Sequence, residues 1–355
     1  MRTGFLSDRS RFCRLTSPHA WEVEVKGWPI ALAAVSAVLL FGGVAAAKPP
    51  PVRIGVVLNA LDNPFFVTIY EGVRIETQRR GAHASIRAAA SNADLAGQAA
   101  HVRALVGGKS DCYVVNPITS TNLVSALRGI TRPIVNLDSP IDQTAARRAR
   151  LPIRTYIGTN DIAAGMLAGS RMASLLQPGG RVALIGGLAD NVNSALRLRG
   201  FQRGIHGARL RVVARINADY RRTKAQIVAQ EILGDNPSLS GFFAASDLMA
   251  LGAADAVRAA GKTGRVKIIG LDGIPEVLDA IRLGSIDATV SQYPYVMGQM
   301  AVEACVAAAR GSKLPTRVDA PIAIVTKANA RRAIATFPHP FRPYSDPFKR
   351  ILKRP

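Results

Sequence analysis

Cysteine is scarce in this 355-residue chain, with Cys13, Cys112 and Cys305 the only three. So few cannot form the dense disulfide framework of small secreted domains, and their spacing rules out a paired-cysteine zinc site. Acidic residues are also few: 24 against 46 Lys and Arg leave a formal charge of +22. Long apolar runs are missing, and residues 30–41 are too short for a comfortable membrane span. The chain lacks Gly-x-Ser-x-Gly, His-Glu-x-x-His and Gly-x-Gly-x-x-Gly, which removes the common hydrolase, zinc-protease and dinucleotide-binding classes. Gly261-Lys262-Thr263 looks like half of a phosphate-binding loop. Ala256 occupies the place of that loop's first glycine, however, and the segment leads from helix to strand, the reverse of what the loop needs.

What is present is a globular composition, 48% hydrophobic, in a length that suits two ordinary domains. The basic charge is spread along the chain, with local clusters at Arg147, Arg148 and Arg150 and between residues 331 and 354. No aromatic–basic interleaving and no helix-turn-helix accompany it, so no nucleic-acid partner is expected. A solvated basic surface is the default, and it would suit an acidic partner or an anionic membrane surface.

Residues 1–47 differ from the rest. Lys26 precedes the apolar run and Ala45-Ala46-Ala47 follows it, the order of a secretory signal with cleavage near Ala47-Lys48. The segment before the run is long and contains Asp8, Glu22 and Glu24, which a true start near Val23 or Val25 would explain. An uncleaved N-terminal anchor is the competing reading. No cysteine ends the run, so lipid attachment is not expected. Export makes a Cys112–Cys305 disulfide chemically possible, but both residues sit in apolar segments, and buried free thiols are the expectation.

From residue 52 onward, strand-like runs alternate with segments of helical period. Strands are expected at 52–58, 84–90, 111–115, 134–137, 155–158, 181–185, 210–216, 241–245, 266–271 and 288–291. Repeated βα units imply parallel sheets with helices on both faces, and this many strands favours two doubly wound sheets over one. Residues 337–355, rich in Pro and basic side chains and without periodicity, read as a tail that is disordered or lies on the surface.

The stretch Asn59-Ala60-Leu61-Asp62-Asn63-Pro64-Phe65-Phe66 joins the first strand to the first helix. Ligands of open parallel sheets bind beyond the carboxyl ends of the strands, where this loop lies. Asn63 and Pro64 suit the start of a helix, so Asn63 as a cap with Phe65 and Phe66 in the core is an equally good reading. Other strands also end in polar residues: Asn116, then Asp138 and Ser139, Ser246 and Asp247, Asp272, and Gln292. Helix capping explains some of these, Asp247 best. It does not explain the set, because Asp272 precedes Gly273 and Gln292 caps poorly.

Taken in order, these motifs resemble those of the ribose-type periplasmic sugar-binding proteins of ABC importers. Asn63-Pro64-Phe65-Phe66, Asn116-Pro117, Leu137-Asp138, Arg197-Leu198-Arg199-Gly200-Phe201, Asp219-Tyr220, Ser246-Asp247, Gly270-Leu271-Asp272-Gly273 and Ser291-Gln292-Tyr293-Pro294 carry the resemblance, which spans about 52–327. It implies an α/β fold: two doubly wound parallel-sheet lobes joined by three hinge crossings, with a ligand cleft between them. The N-terminal lobe would hold 52–158 plus 293–320 and the C-terminal lobe 159–292 plus 321–327, leaving 331–355 as the basic tail. The resemblance implies ligand contacts from Asn63, Phe65, Phe66, Asn116, Asp138 and Ser139 on one side, and from Arg197, Tyr220, Ser246, Asp272 and Gln292 on the other or at the hinge. Ser139 stands where the pattern has arginine and Ser246 where it has asparagine, which gives the cleft more room and a different hydroxyl code. Aromatic rings for sugar C–H faces, and two carboxylates against one guanidinium, suit a neutral sugar or polyol.

The implied role is a periplasmic monomer that closes on a sugar and delivers it to an ABC permease, with no catalysis, metal or cofactor. Signalling to a chemoreceptor or sensor kinase is the alternative output, and an exported enzyme is a lower alternative. Repressors that share the core carry a DNA-reading helix-turn-helix where this chain carries its apolar leader.

Overall fold

A computed structural model describes residues 50–353, so the leader reading falls outside the described residues. The chain runs β1 (Arg53–Leu58), α1 (Pro64–Arg79), β2 (His83–Ala88), α2 (Leu95–Val106), β3 (Cys112–Val115), β4 (Ile134–Leu137), α3 (Gln143–Arg148) and β5 (Ile153–Gly158). It continues through α4 (Asp161–Leu175), β6 (Arg181–Gly186), α5 (Val192–Gly204), β7 (Arg211–Asn217), α6 (Arg222–Asp235), β8 (Leu239–Ala244), α7 (Asp247–Ala259), β9 (Lys267–Asp272), α8 (Pro275–Leu283) and β10 (Ala288–Ser291). It ends with α9 (Pro294–Ala309), β11 (Arg317–Asp319), β12 (Ala323–Thr326), α10 (Ala330–Thr336) and α11 (Pro347–Leu352).

The strands form two six-stranded sheets, ordered β11-β5-β4-β3-β1-β2 and β12-β10-β9-β8-β6-β7. Among the described residues only β12, against β10, runs antiparallel. Central strands such as β1 and β3 are buried nearly end to end, as parallel strands covered on both faces must be. Up to β12 the chain passes between the lobes three times, from β5 to α4, from β10 to α9 and from β11 to β12, and it returns to the first lobe once more between α10 and α11. Each sheet with its helices is a lobe, the first containing β1 and the second β6. The ten expected strands all form. The three-residue β11, too short for a periodic signal, went unread.

Two expectations are corrected. Cys112 and Cys305 are joined in a disulfide, with Cα atoms 5.6 Å apart, a separation typical of such bonds. The apolar surroundings that suggested free thiols are the packing of α9 on β3, and that packing brings the sulfurs together. The segment read as a tail is structured. Phe341 and Phe348 are buried, α10 packs on α8, and α11 packs on α9. Isolated aromatic anchors hold it, and these leave no periodic pattern in the sequence.

The disulfide joins residues 193 apart, and closing so long a loop restricts the unfolded chain by roughly 5 kcal/mol in the chain-entropy account. Replacing both cysteines with serine is expected to lower stability by about 2–5 kcal/mol in urea unfolding. Ligand affinity should hardly change, because Cys112 opens β3 at the end away from the cleft. An unchanged urea midpoint would mean that the two thiols are unpaired in the purified protein.

Candidate functional site

A cavity of about 390 Å³ lies between the carboxyl ends of the two sheets and is lined by both lobes. Of the eleven residues expected to meet a ligand, nine line it: Asn63, Phe65, Phe66, Asp138, Ser139, Arg197, Tyr220, Ser246 and Asp272. Asn116 and Gln292 do not. Each is fully buried and holds a lining carboxylate from behind.

On the first lobe, Asn63 does both things the sequence left open. Its side chain caps α1 by accepting from the Phe65 amide at 2.9 Å, and the residue also lines the cavity. Phe65 is buried and Phe66 partly so, and their rings meet edge to face at 5.3 Å. At the end of β4, Asp138 sits in left-handed backbone with φ of 59°. Its Oδ2 accepts from Asn116 Nδ2 at 3.0 Å and from the Ser139 hydroxyl at 3.4 Å. Among the described residues no donor reaches its Oδ1. Burial pushes the Asp138 carboxyl above the usual range, against the pull of Arg197.

On the second lobe the Arg197 guanidinium is the centre. Nε donates to Asp161 Oδ1 at 2.7 Å, one terminal nitrogen to the Ala245 carbonyl at 2.9 Å, and the other to Gln292 Oε1 at 3.0 Å. Asp272 Oδ1 lies 3.6 Å from the same group and accepts from Gln292 Nε2 at 2.6 Å. Two of the five guanidinium N–H bonds make no hydrogen bond among the described residues, and Arg197 lines the cavity. Asp161, the first residue of α4, was not among the expected site residues. It reaches Arg197 because α4 and α5 touch through glycine: a Cβ on Gly165 would collide with the Arg197 carbonyl and with Gly200. Burial pushes the Asp161 carboxyl up to about 6 even with Arg197 beside it, and pushes Asp272 well above its ordinary value.

Asp247 is corrected as a helix cap. Ser246 caps α7, accepting from the Met249 amide, while Asp247 Oδ2 accepts from the amides of Gly273 and Ile274 at 2.7 and 2.9 Å. It therefore fixes the turn that carries Asp272. The Tyr220 ring lies against Gly187, and its hydroxyl donates to Asn191 Oδ1 at 2.8 Å. Asn191 and Asn193, which start α5, line the cavity unannounced by the sequence, since they look like ordinary helix-cap residues. Asn193 donates across the cleft to the Asp138 carbonyl at 3.3 Å, and Asn92 to that of Asp219 at 3.0 Å, so the lobes are closed on each other. Among the described residues, five of the seven non-glycine residues with positive φ, Asp138, Asp219, Tyr220, Asp272 and Tyr293, lie at the cleft or hinge. Strain at about 1 kcal/mol or more each is concentrated where side chains must be aimed.

Such a cleft, polar at its strand ends and walled by aromatic rings, defines a two-lobed solute-binding protein that encloses one small polar molecule. The chain belongs to the periplasmic binding protein family, whose domain model matches residues 54–313. It is 34% identical over 266 residues to the D-allose-binding periplasmic protein of Escherichia coli K12, covering 73% of this chain and 85% of the relative. It is 30% identical over 277 residues to the ribose import binding protein of Bacillus subtilis 168, covering 77% and 87%. Among solved structures, an ABC transporter solute-binding protein of Actinobacillus succinogenes with bound D-allose superposes with a TM-score of 0.76 at 25% identity, covering 80% of this chain and all of that one. One from Bacillus halodurans C-125 with bound myo-inositol gives 0.74 at 25% identity, covering 81% and 99%.

Asp161→Ala would leave the Arg197 charge buried without its nearest partner. A loss of about 3–5 kcal/mol in denaturant unfolding is expected, with Asp161→Asn milder. A loss under about 1 kcal/mol would mean that Asp272 and Gln292 suffice to hold the guanidinium.

Proposed function

We propose that the chain captures a neutral sugar or polyol by closure of its two lobes and hands it to an ABC permease. The observation that carries this reading is the pairing of fixed polar groups with aromatic walls. Asp138 Oδ1 and the two spare Arg197 N–H bonds offer an acceptor and donors at set positions, and Phe65, Phe66 and Tyr220 offer faces for C–H groups. An anionic ligand is disfavoured, because Asp138, Asp161 and Asp272 surround one arginine. The import names of the relatives favour delivery over sensing and binding over catalysis. Residues 1–47 would direct export, with cleavage near Ala47-Lys48, and the mature chain would act as a monomer.

Closure follows from differential contact. A ligand held by both lobes stabilises only the closed arrangement, so it shifts the hinge population toward closure. Asn116 and Gln292 act through the carboxylates they hold, and Ser139 and Ser246 leave room for a ring larger than a pentose.

Thermal unfolding with D-allose, D-ribose, myo-inositol, an amino acid and a sugar phosphate tests the class, since a ligand specific to the native state raises apparent stability. A shift with a neutral polyol is expected, and a shift only with an anionic compound would overturn the reading. Asp138→Asn keeps the shape but removes a charged acceptor, at about 1.5–3 kcal/mol per hydrogen bond. Affinity should fall by about 100-fold with the fold intact.

Sugar hydroxyls donate to the ionised carboxylates and so lower their proton affinity. Binding therefore releases protons, and affinity is expected to weaken as the pH falls into the raised titration range of Asp138 and Asp272, the carboxyls that line the cavity. Calorimetry in buffers of different ionisation enthalpy measures this; proton uptake would reverse the sign and contradict the contact scheme.

A further inference from the structure

The family model stops at residue 313, yet the chain continues through β12 and α10 into the segment 337–352. With α10, which leads into it, this segment touches both lobes. At one end α10 packs on α8 and β12 of the second lobe. At the other, α11 packs on α9 of the first lobe and buries Phe348 completely. Between these anchors it crosses the hinge. The buried Phe341 ring meets Tyr293 at 6.1 Å, and His339 meets Tyr295 edge to face at 4.9 Å.

The anchor on the first lobe is polar as well as apolar. Arg80 joins Glu76 at 2.6 Å and also reaches Glu303. Asp346 accepts from the Phe348 amide at 3.0 Å and caps α11. Among the described residues Glu303 Oε2 and Asp346 Oδ2 are buried without a hydrogen-bond donor, although Lys349 Nζ lies 3.4 Å from Asp346 Oδ2. Contact between these two carboxyls, added to burial, pushes Glu303 up to about 8.

Tyr293 is the critical contact. It holds left-handed backbone with φ of 53°, a strained setting for a bulky residue. It follows Gln292, which holds Arg197 and Asp272 together. Whatever fixes Tyr293 also fixes the hinge end of the site.

We propose that residues 337–352 are a hinge strap: fastened to both lobes and packed on Tyr293, they favour the closed arrangement and hold Gln292 in place, so that the strap sets the affinity of the cleft. The inference rests on the clamp reading given above. Rotation of the lobes about the hinge would strip Phe341 from Tyr293 or pull an anchor, so opening costs contacts that a chain without the strap would not lose. When the strap is slack, the closed fraction falls and apparent affinity falls in proportion.

The test compares the exported full chain with Phe341→Ala and with a four-residue Gly–Ser insertion after Arg342, which keeps both anchors but lengthens the strap. Small-angle scattering without sugar reads the open population, calorimetry with D-allose and D-ribose reads affinity, and circular dichroism reads folding. Both variants are expected to show a larger radius of gyration than the wild type without sugar, and an apparent Kd about tenfold higher. If Phe341→Ala fails to fold, the insertion decides. An insertion variant with the wild-type radius and wild-type affinity would overturn the strap. If the wild type binds neither sugar, these two ligands are ruled out, while the scattering comparison still decides the strap.

Discussion

The buried guanidinium of Arg197 is the constraint on which the cleft depends. A charge removed from water is tolerable only with close partners, and a half-satisfied one is costly. Here the partners come from four separate places: the start of α4, the end of β8, the residue after β10 and the end of β9. Satisfying one side chain therefore fixes four strand or helix ends relative to one another. Gly165 and Gly200 serve the same end, since only bare backbone lets α4 and α5 approach closely enough for Asp161 to reach it. The rigidity needed to recognise hydroxyls is thus a by-product of neutralising one charge.

That dependence also marks what could be read from the sequence. Residues at strand ends were legible, because apolar run followed by polar residue is a local signal, and Asp138, Ser139, Ser246 and Asp272, so chosen, line the cavity; Asn63, Phe65 and Phe66 were read from the loop after β1, and Arg197 and Tyr220 from the family resemblance alone. Asn116 and Gln292 carry the same signal but sit one layer back. Local pattern says that a side chain is at the edge, not whether a neighbour stands in front of it. Asp161, Asn191 and Asn193 were hidden because a polar residue at a helix start is already explained by capping. The disulfide was hidden for another reason: its partners are 193 residues apart, and only the packing of α9 on β3 brings them together.

Charge is divided by depth. The excess of arginine lies largely on the surface, while the cleft concentrates Asp138, Asp161 and Asp272 about a single buried arginine. Net charge therefore says little about the ligand. Exposed arginines are screened within a Debye length, whereas the enclosed carboxylates act at short range, where their hydrogen bonds discriminate.

Few protein contacts bridge the cleft itself. Among the described residues two side-chain hydrogen bonds cross it, from Asn193 and Asn92; each goes to a backbone carbonyl and contributes about 1 kcal/mol. Bonds so weak cannot hold two lobes shut alone, so closure must draw on the ligand and on whatever crosses the hinge. A clamp of this kind functions only if its closed state is neither too stable nor too rare without ligand. If closure were too stable empty, ligand would add little signal; if too rare, most of the binding energy would be spent on ordering. Packing of Phe341 on the Tyr293 ring, in the proposed strap, holds the hinge where that strained backbone sits. The balance point of the hinge is then set by residues that never touch the ligand, and affinity can change through the segment 337–352 while the hydroxyl code of the cleft stays fixed.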